Sequence, residues 1–193
     1  MKIYDISQEL TGCAVYPGDM APAKQRVSDM AKGDLYNLSN ISLCTHNGTH
    51  IDAPFHFFAD GNTVDQIPLE KFIGPCYVVR HEGEFTARDV KALAGKCDEF
   101  PKRILIGGNA TVMPDAAKAL AERGIDLVGN ESQTVGPEQA PMEVHKILLK
   151  KDVVLLEGLK LSGIEEGEYF LSAAPIHIAG SDGSPCRAVL IAF

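Results

Sequence analysis

The sequence predicts an α/β or α+β domain built on a mixed sheet or barrel. Three observations carry this reading. Eight short β-branched or apolar runs, each bounded by Gly, Pro or Asp, read as strands. Two stretches read as helices. Pro and Gly are spread evenly with no linker, so residues 1–193 read as one domain, long enough to bury its own core. Many strands with few helices fit a sheet covered by helices.

In chain order, the strand runs are 2–6, 37–43, 76–79, 103–106, 127–128, 153–156, 169–172 and 188–192. Between them, residues 86–93 begin at Thr86, an N-cap type, and place apolar residues at 87, 90 and 93, a helical spacing. Residues 114–123 form the stronger helix. Pro114 sits where a missing N–H costs nothing, alanines fill the body, and Gly124 follows as the C′ residue. GIDLVG then turns that helix into a strand.

Composition narrows the function. Apolar content of 45% and charged content of 23% suit a globular chain. Eighteen Lys and Arg against 26 Asp and Glu give a net charge of −8, which argues against a phosphate-neutralising nucleic-acid binder and, more weakly, against an anionic membrane partner. No apolar run reaches the roughly 18 residues of a membrane helix. MKIYDISQEL lacks the apolar core of a signal peptide. Five scattered cysteines (Cys13, Cys44, Cys76, Cys97, Cys186) without a CxxC pair read as reduced core thiols of a cytoplasmic protein.

Residues 45–57, THNGTHIDAPFHF, hold three of the six histidines. Gly48, Thr49, Ile51 and Pro54 oppose a helix. In an extended chain His46, Gly48, His50, Asp52, Pro54 and His56 share one face, while Asn47, Thr49, Ile51, Ala53 and Phe55 share the other. An imidazole and carboxylate face without large apolar residues is inverted for a core strand, unless a polar ligand covers it. A metal ion is the natural ligand for such donors. His46 and His50 lie roughly 13 Å apart along a straight strand, so the chain must bend between them, and Gly48 is placed to allow it. A single histidine on a strand is ordinarily a surface or hydrogen-bonded residue; the full HxGTHxDxPxHF pattern is what favours the metal.

HNGTHIDAPFH resembles the HxGTHxDxPxH motif of the cyclase-like metal-dependent hydrolases, which include bacterial kynurenine formamidase and isatin hydrolase. IYDISQEL with VYPGD, AERGIDLVG, VHKILLKKDVVLLEGL and GSDGSPCRAVLIAF resemble other segments of that family, so the likeness spans nearly the whole chain. The resemblance implies a swivelling β/β/α domain with a barrel-like mixed sheet and flanking helices. It implies two divalent ions, zinc first and manganese as the alternative. His46 and His50 would bind one ion, Asp52 would bridge, His145 would bind the second, and Glu157 would contact both. His56 would donate and accept the proton. Without the resemblance, His145 in the amphipathic MEVHKILL and Glu157 at a strand exit read as ordinary residues, as do His81 and His177. The family further implies a homodimer or homotetramer.

Two such ions lower the pKa of a bound water and polarise a substrate carbonyl, which suits hydrolysis of a small amide, lactone or cyclic imide. Neither a GxSxG elbow nor a dinucleotide fingerprint is present. The chain departs from the formamidase pattern where substrate is read. It has no tryptophan, and Tyr16 stands before PGD as the substrate-binding aromatic. GNESQTVGP places Glu131, Thr134 and Gly136 where relatives carry Asp, Ser and Asp, and ILIGGNATV lacks their Arg-Thr-Gly run. Two other readings use the same scaffold: a non-catalytic metal- or ligand-binding protein, and a metal-dependent lyase or cyclase. Retention of His56, unnecessary for holding ions, speaks against the non-catalytic reading; a lyase or cyclase would use the same ions and His56.

Overall fold

Four parallel strands form the middle of the sheet, three of them buried throughout, and the sequence shows why. Runs such as RILIG are apolar at successive positions, as strands covered on both faces require. The computed structural model describes residues 1–193. Its strands are β1 (Lys2–Asp5), β2 (Ala23–Ser28), β3 (Leu38–Ser42), β4 (His50–Asp52), β5 (Ile73–Arg80), β6 (Gly83–Phe85) and β7 (Arg103–Gly107). They continue with β8 (Ala110–Val112), β9 (Leu127–Asn130), β10 (Val154–Glu157), β11 (Gly167–Ser172), β12 (Gly183–Pro185) and β13 (Val189–Ala192). The helices are α1 (Ala87–Ala94), α2 (Pro114–Glu122) and α3 (Met142–Leu149).

Nine strands join in the order β1-β13-β11-β5-β7-β9-β10-β4-β12. The run β5-β7-β9-β10 is parallel, and the strands on either side of it pair antiparallel. The sheet curls into a half-barrel, in line with the predicted mixed, barrel-like class. Strand alternation then divides the core. Ile104, Ile106, Val128 and Leu155 face the helices and meet Val90, Leu93, Leu120, Val144 and Leu148. Leu105, Leu127, Val154 and Leu156 face the opposite way and pack with Ile6, Ile51 and Val78.

Several sequence expectations change. Residues 37–43 do form a strand, but β3 pairs with β2 in a separate two-stranded ribbon whose side chains are largely exposed. The polar AKQRVS of β2 gave no strand signal. MEVHKILL, read as an amphipathic stretch, is α3, with Val144, His145, Leu148 and Leu149 on its buried face. The extended histidine stretch is shorter than expected. Only His50–Asp52 is strand, and Pro54–His56 turns as a 3-10 helix, because proline at its first position presets that turn. His56 therefore leaves the alternating face. All five cysteines are free, but only Cys76 is buried; the other four are partly exposed.

Candidate metal centre

β4 lies between β10 and β12, and its pairing builds the site. His50 stands opposite Glu157 and Asp52 opposite Leu155, so His50, Asp52 and Glu157 point to one face. That is the helix face, where α3 lowers His145 onto them. The inverted polarity of the stretch is thereby explained: its polar face looks onto other ligating groups.

The bend expected at Gly48 is present. Gly48 has φ 66°, and the ring centroids of His46 and His50 come within 5.2 Å. Thr49 Oγ1 donates to the Gly158 carbonyl at 2.6 Å and accepts from Gln8 N–H at 2.9 Å, tying the bend to the chain after β10. Gly158 has φ 68°, and a Cβ there would lie 2.3 Å from the Gly48 carbonyl oxygen. Gly158→Ala is therefore expected to destabilise the protein by more than about 1 kcal/mol, read as a lower urea midpoint.

His50, Asp52, Glu157 and His145 are all at most 4% exposed. His50 Nε2 lies 3.3 Å from Asp52 Oδ1 and 3.5 Å from Glu157 Oε2. His145 Nε2 lies 3.5 Å from Asp52 Oδ2 and 3.1 Å from Glu157 Oε1. The other ring nitrogens are committed: His50 Nδ1 to the Gly48 carbonyl at 3.0 Å and His145 Nδ1 to the Pro141 carbonyl at 2.9 Å. Each Nδ1 thus carries the hydrogen, and each Nε2 aims its lone pair at two carboxylates. Lone pairs facing lone pairs in a buried site require positive charge between them, from protons or from metal ions. The donor set fits divalent ions, with ligand atoms of His50, Asp52 and Glu157 within 4.8 Å of one another.

The electrostatics follow from that geometry. Burial opposes charge on His46, but Asp182 and Asp52 outweigh it and hold its pKa at about 10. Burial likewise opposes charge on His145, and Asp52 and Glu157 raise it to about 10. His50 is raised well above 6.5, its own burial overcome by the same two carboxylates. Burial works against ionised Asp52, yet its three histidine neighbours hold it well below 3.8. His56 behaves oppositely, because burial dominates and lowers it from 6.5.

His56 joins the cluster from the turn after β4. Its ring lies 4.1 Å from that of His46, and Phe57 stands against both His56 and His145, at 4.6 and 5.1 Å. The structure therefore brings together His46, His50, Asp52, His145, Glu157 and His56. Tyr16 lies apart from them, in a cleft of about 420 Å³ with Pro17, Gln133, Thr134, Glu138 and Gln139. That cleft connects to the centre through the loop after β9, where Val135 N–H donates to Glu157 Oε1 at 2.8 Å. Sequence reasoning missed Asp182, whose Oδ2 accepts from His46 Nε2–H at 3.1 Å. An aspartate in a Gly- and Ser-flanked loop gives no local signal for this contact.

Residues 4–137 match the Cyclase family model. The chain is 34% identical over 201 residues to a kynurenine formamidase of Erythrobacter litoralis, covering 98% of this chain and 93% of that protein. A solved structure from Bacillus stearothermophilus, described as a predicted metal-dependent hydrolase, is 29% identical with TM-score 0.82, covering 98% of this chain and 97% of that one. Isatin hydrolase A from Labrenzia aggregata shares the fold, with TM-score 0.86 and 24% identity over 98% of this chain and 93% of its own.

Proposed function

This chain belongs to the cyclase family of hydrolases, and on that premise we propose that it is a metal-dependent hydrolase of a small amide, lactone or cyclic imide. The observation that carries the reading is the convergence of His50 Nε2 and His145 Nε2 on both Asp52 and Glu157. His46, His50, Asp52, His145 and Glu157 would hold two divalent ions, zinc first and manganese as the alternative. When bound, such ions acidify water and polarise a carbonyl oxygen.

The remaining work falls to the protein. His56 is neutral at pH 7 because burial holds its pKa below 6.5, so it can accept a proton from attacking water and return it to the leaving nitrogen or oxygen. Phe57 packs its ring against those of His56 and His145. Tyr16 and Thr134 would receive the substrate; the buried Thr134 hydroxyl has no protein partner and lines the same cleft. An amide is the first substrate class, because the curated relative is a formamidase.

Hydrolysis in oxygen-18 water is the direct test. The label enters the product acid if the proposal holds and stays out if the chain is a lyase or cyclase. Two pH predictions follow. His56 must be unprotonated to act as base, so kcat/KM should fall as pH drops through a pKa below 6.5, measured across pH 5 to 8 with metal in excess. The raised pKa values of His46 and His145 mean that protons occupy these imidazoles before metal does. Metal binding should therefore release protons, and affinity should rise with pH, as titration calorimetry in buffers of different ionisation heat would show.

We also propose that the chain pairs with a second copy. The turn and ribbon around β3 expose the apolar side chains of Leu35, Tyr36, Leu38 and Ile41, which association would cover. The net charge of −8 speaks against nucleic acid or an anionic membrane as partner, and no helix is long and apolar enough to cross a membrane. Five free cysteines support a cytoplasmic location.

A further inference from the structure

We propose that Asp182 is a positioning residue that orients two histidines at once, the ligand His46 and the proton carrier His56. The inference rests on the metal-dependent reading above. Asp182 Oδ2 accepts from His46 Nε2–H at 3.1 Å and faces His56 Nδ1 at a longer 3.4 Å. Its other oxygen, Oδ1, accepts from the Thr45 hydroxyl at 3.2 Å. The carboxylate is thus held from one side and presents its free lone pairs to both rings.

The backbone around Asp182 is built for this. Its carbonyl accepts from Ala53 N–H at 2.9 Å, next to Asp52. The following residue, Gly183, opens β12 opposite Asp52. A Cβ on Gly183 would lie 2.6 Å from His46 Cε1 and 2.9 Å from the Ile51 carbonyl oxygen. The missing side chain at Gly183 leaves room for the His46 ring beside β12, where it reaches Asp182.

The consequence for His46 is a fixed tautomer. In the metal-bound protein Nε2–H is given to Asp182 and the lone pair is left on Nδ1, the atom 2.8 Å from Asp52 Oδ1, on the side of the centre. A carboxylate behind a ligating imidazole fixes ring orientation and raises donor strength. His56 gains the same ordering: a hydrogen on Nδ1 aimed at Asp182 leaves Nε2 as its free base. One carboxylate therefore sets the geometry of a ligand and of the proton-transfer group together.

The test is Asp182→Asn, measured on metal-free protein titrated with zinc against a chromogenic chelator, beside steady-state kinetics on the reconstituted protein. We expect zinc affinity about 10- to 100-fold weaker, the size typical for losing the carboxylate behind a metal-bound histidine. We expect kcat to fall while KM holds, and the metal-free variant to stay folded, with an unchanged circular dichroism spectrum. Gly183→Ala keeps the carboxylate but displaces the ring, and should weaken zinc in the same direction. Nitrogen NMR of the native zinc form should show the hydrogen of His46 on Nε2. Zinc affinity and kcat within twofold of the native protein in Asp182→Asn would overturn the inference. If the unaltered protein binds no zinc, the metal-dependent reading itself fails and this role falls with it.

Discussion

His56→Ala is expected to lower kcat by about 10²- to 10⁴-fold, the usual contribution of a positioned acid–base group, while metal content stays at the native level. The reasoning separates His56 from the ligands. It sits on the turn after β4, partly exposed, and burial lowers its pKa where carboxylates raise those of His46, His50 and His145. It faces Asp182 at 3.4 Å, whereas His46, His50 and His145 each bring a ring nitrogen within 3.5 Å of Asp52. A histidine in that place is fit to move a proton, and because its ligand atom lies within 4.8 Å of those of His46 and Asp52, the metal content of the variant is what separates a proton carrier from a ligand. The acid limb of the pH profile should vanish with it. Equal loss of metal in His56→Ala would show that it is a ligand, and the role given to it would be wrong.

Asp52→Ala is expected to remove both metal and activity. Asp52 touches His46, His50 and His145 through its two oxygens, at 2.8, 3.3 and 3.5 Å, so its loss breaks the whole cluster. It is 1% exposed, and its removal leaves those imidazoles with one fewer buried carboxylate. Elemental analysis should find the purified variant depleted of metal. Turnover should fall below that of His56→Ala, because the acidified water and polarised carbonyl are lost with the metal. His50→Ala should act in the same direction through loss of one Nε2 donor. Full metal content in Asp52→Ala would show that Asp52 is not a ligand.

Much of the site was legible because its signal was local. Gly48, Thr49, His50, Asp52 and Pro54 stand in one short segment, and backbone rules alone predicted the bend and the shared face of His50 and Asp52. His145 and Glu157 were legible only by resemblance. Their meeting with β4 depends on α3 packing over the sheet and on β10 pairing with β4, contacts across about a hundred residues that no local pattern encodes. Asp182 was missed for the same reason, since β12 returns from the far end of the chain to pair with β4. The fold class was readable from apolar runs such as RILIG. The polar ribbon strand β2 was not, because it is stabilised by its partner β3 and carries no buried face. MEVHKILL lacked the capping residues that marked 86–93 and 114–123, so α3 had a helical face but no start signal.

The measurement that tests the central claim most directly is metal stoichiometry per chain, by elemental analysis of protein purified without chelator and again after reconstitution. The account predicts close to two divalent ions per chain, shared among His46, His50, Asp52, His145 and Glu157. No bound ion under either condition would contradict it.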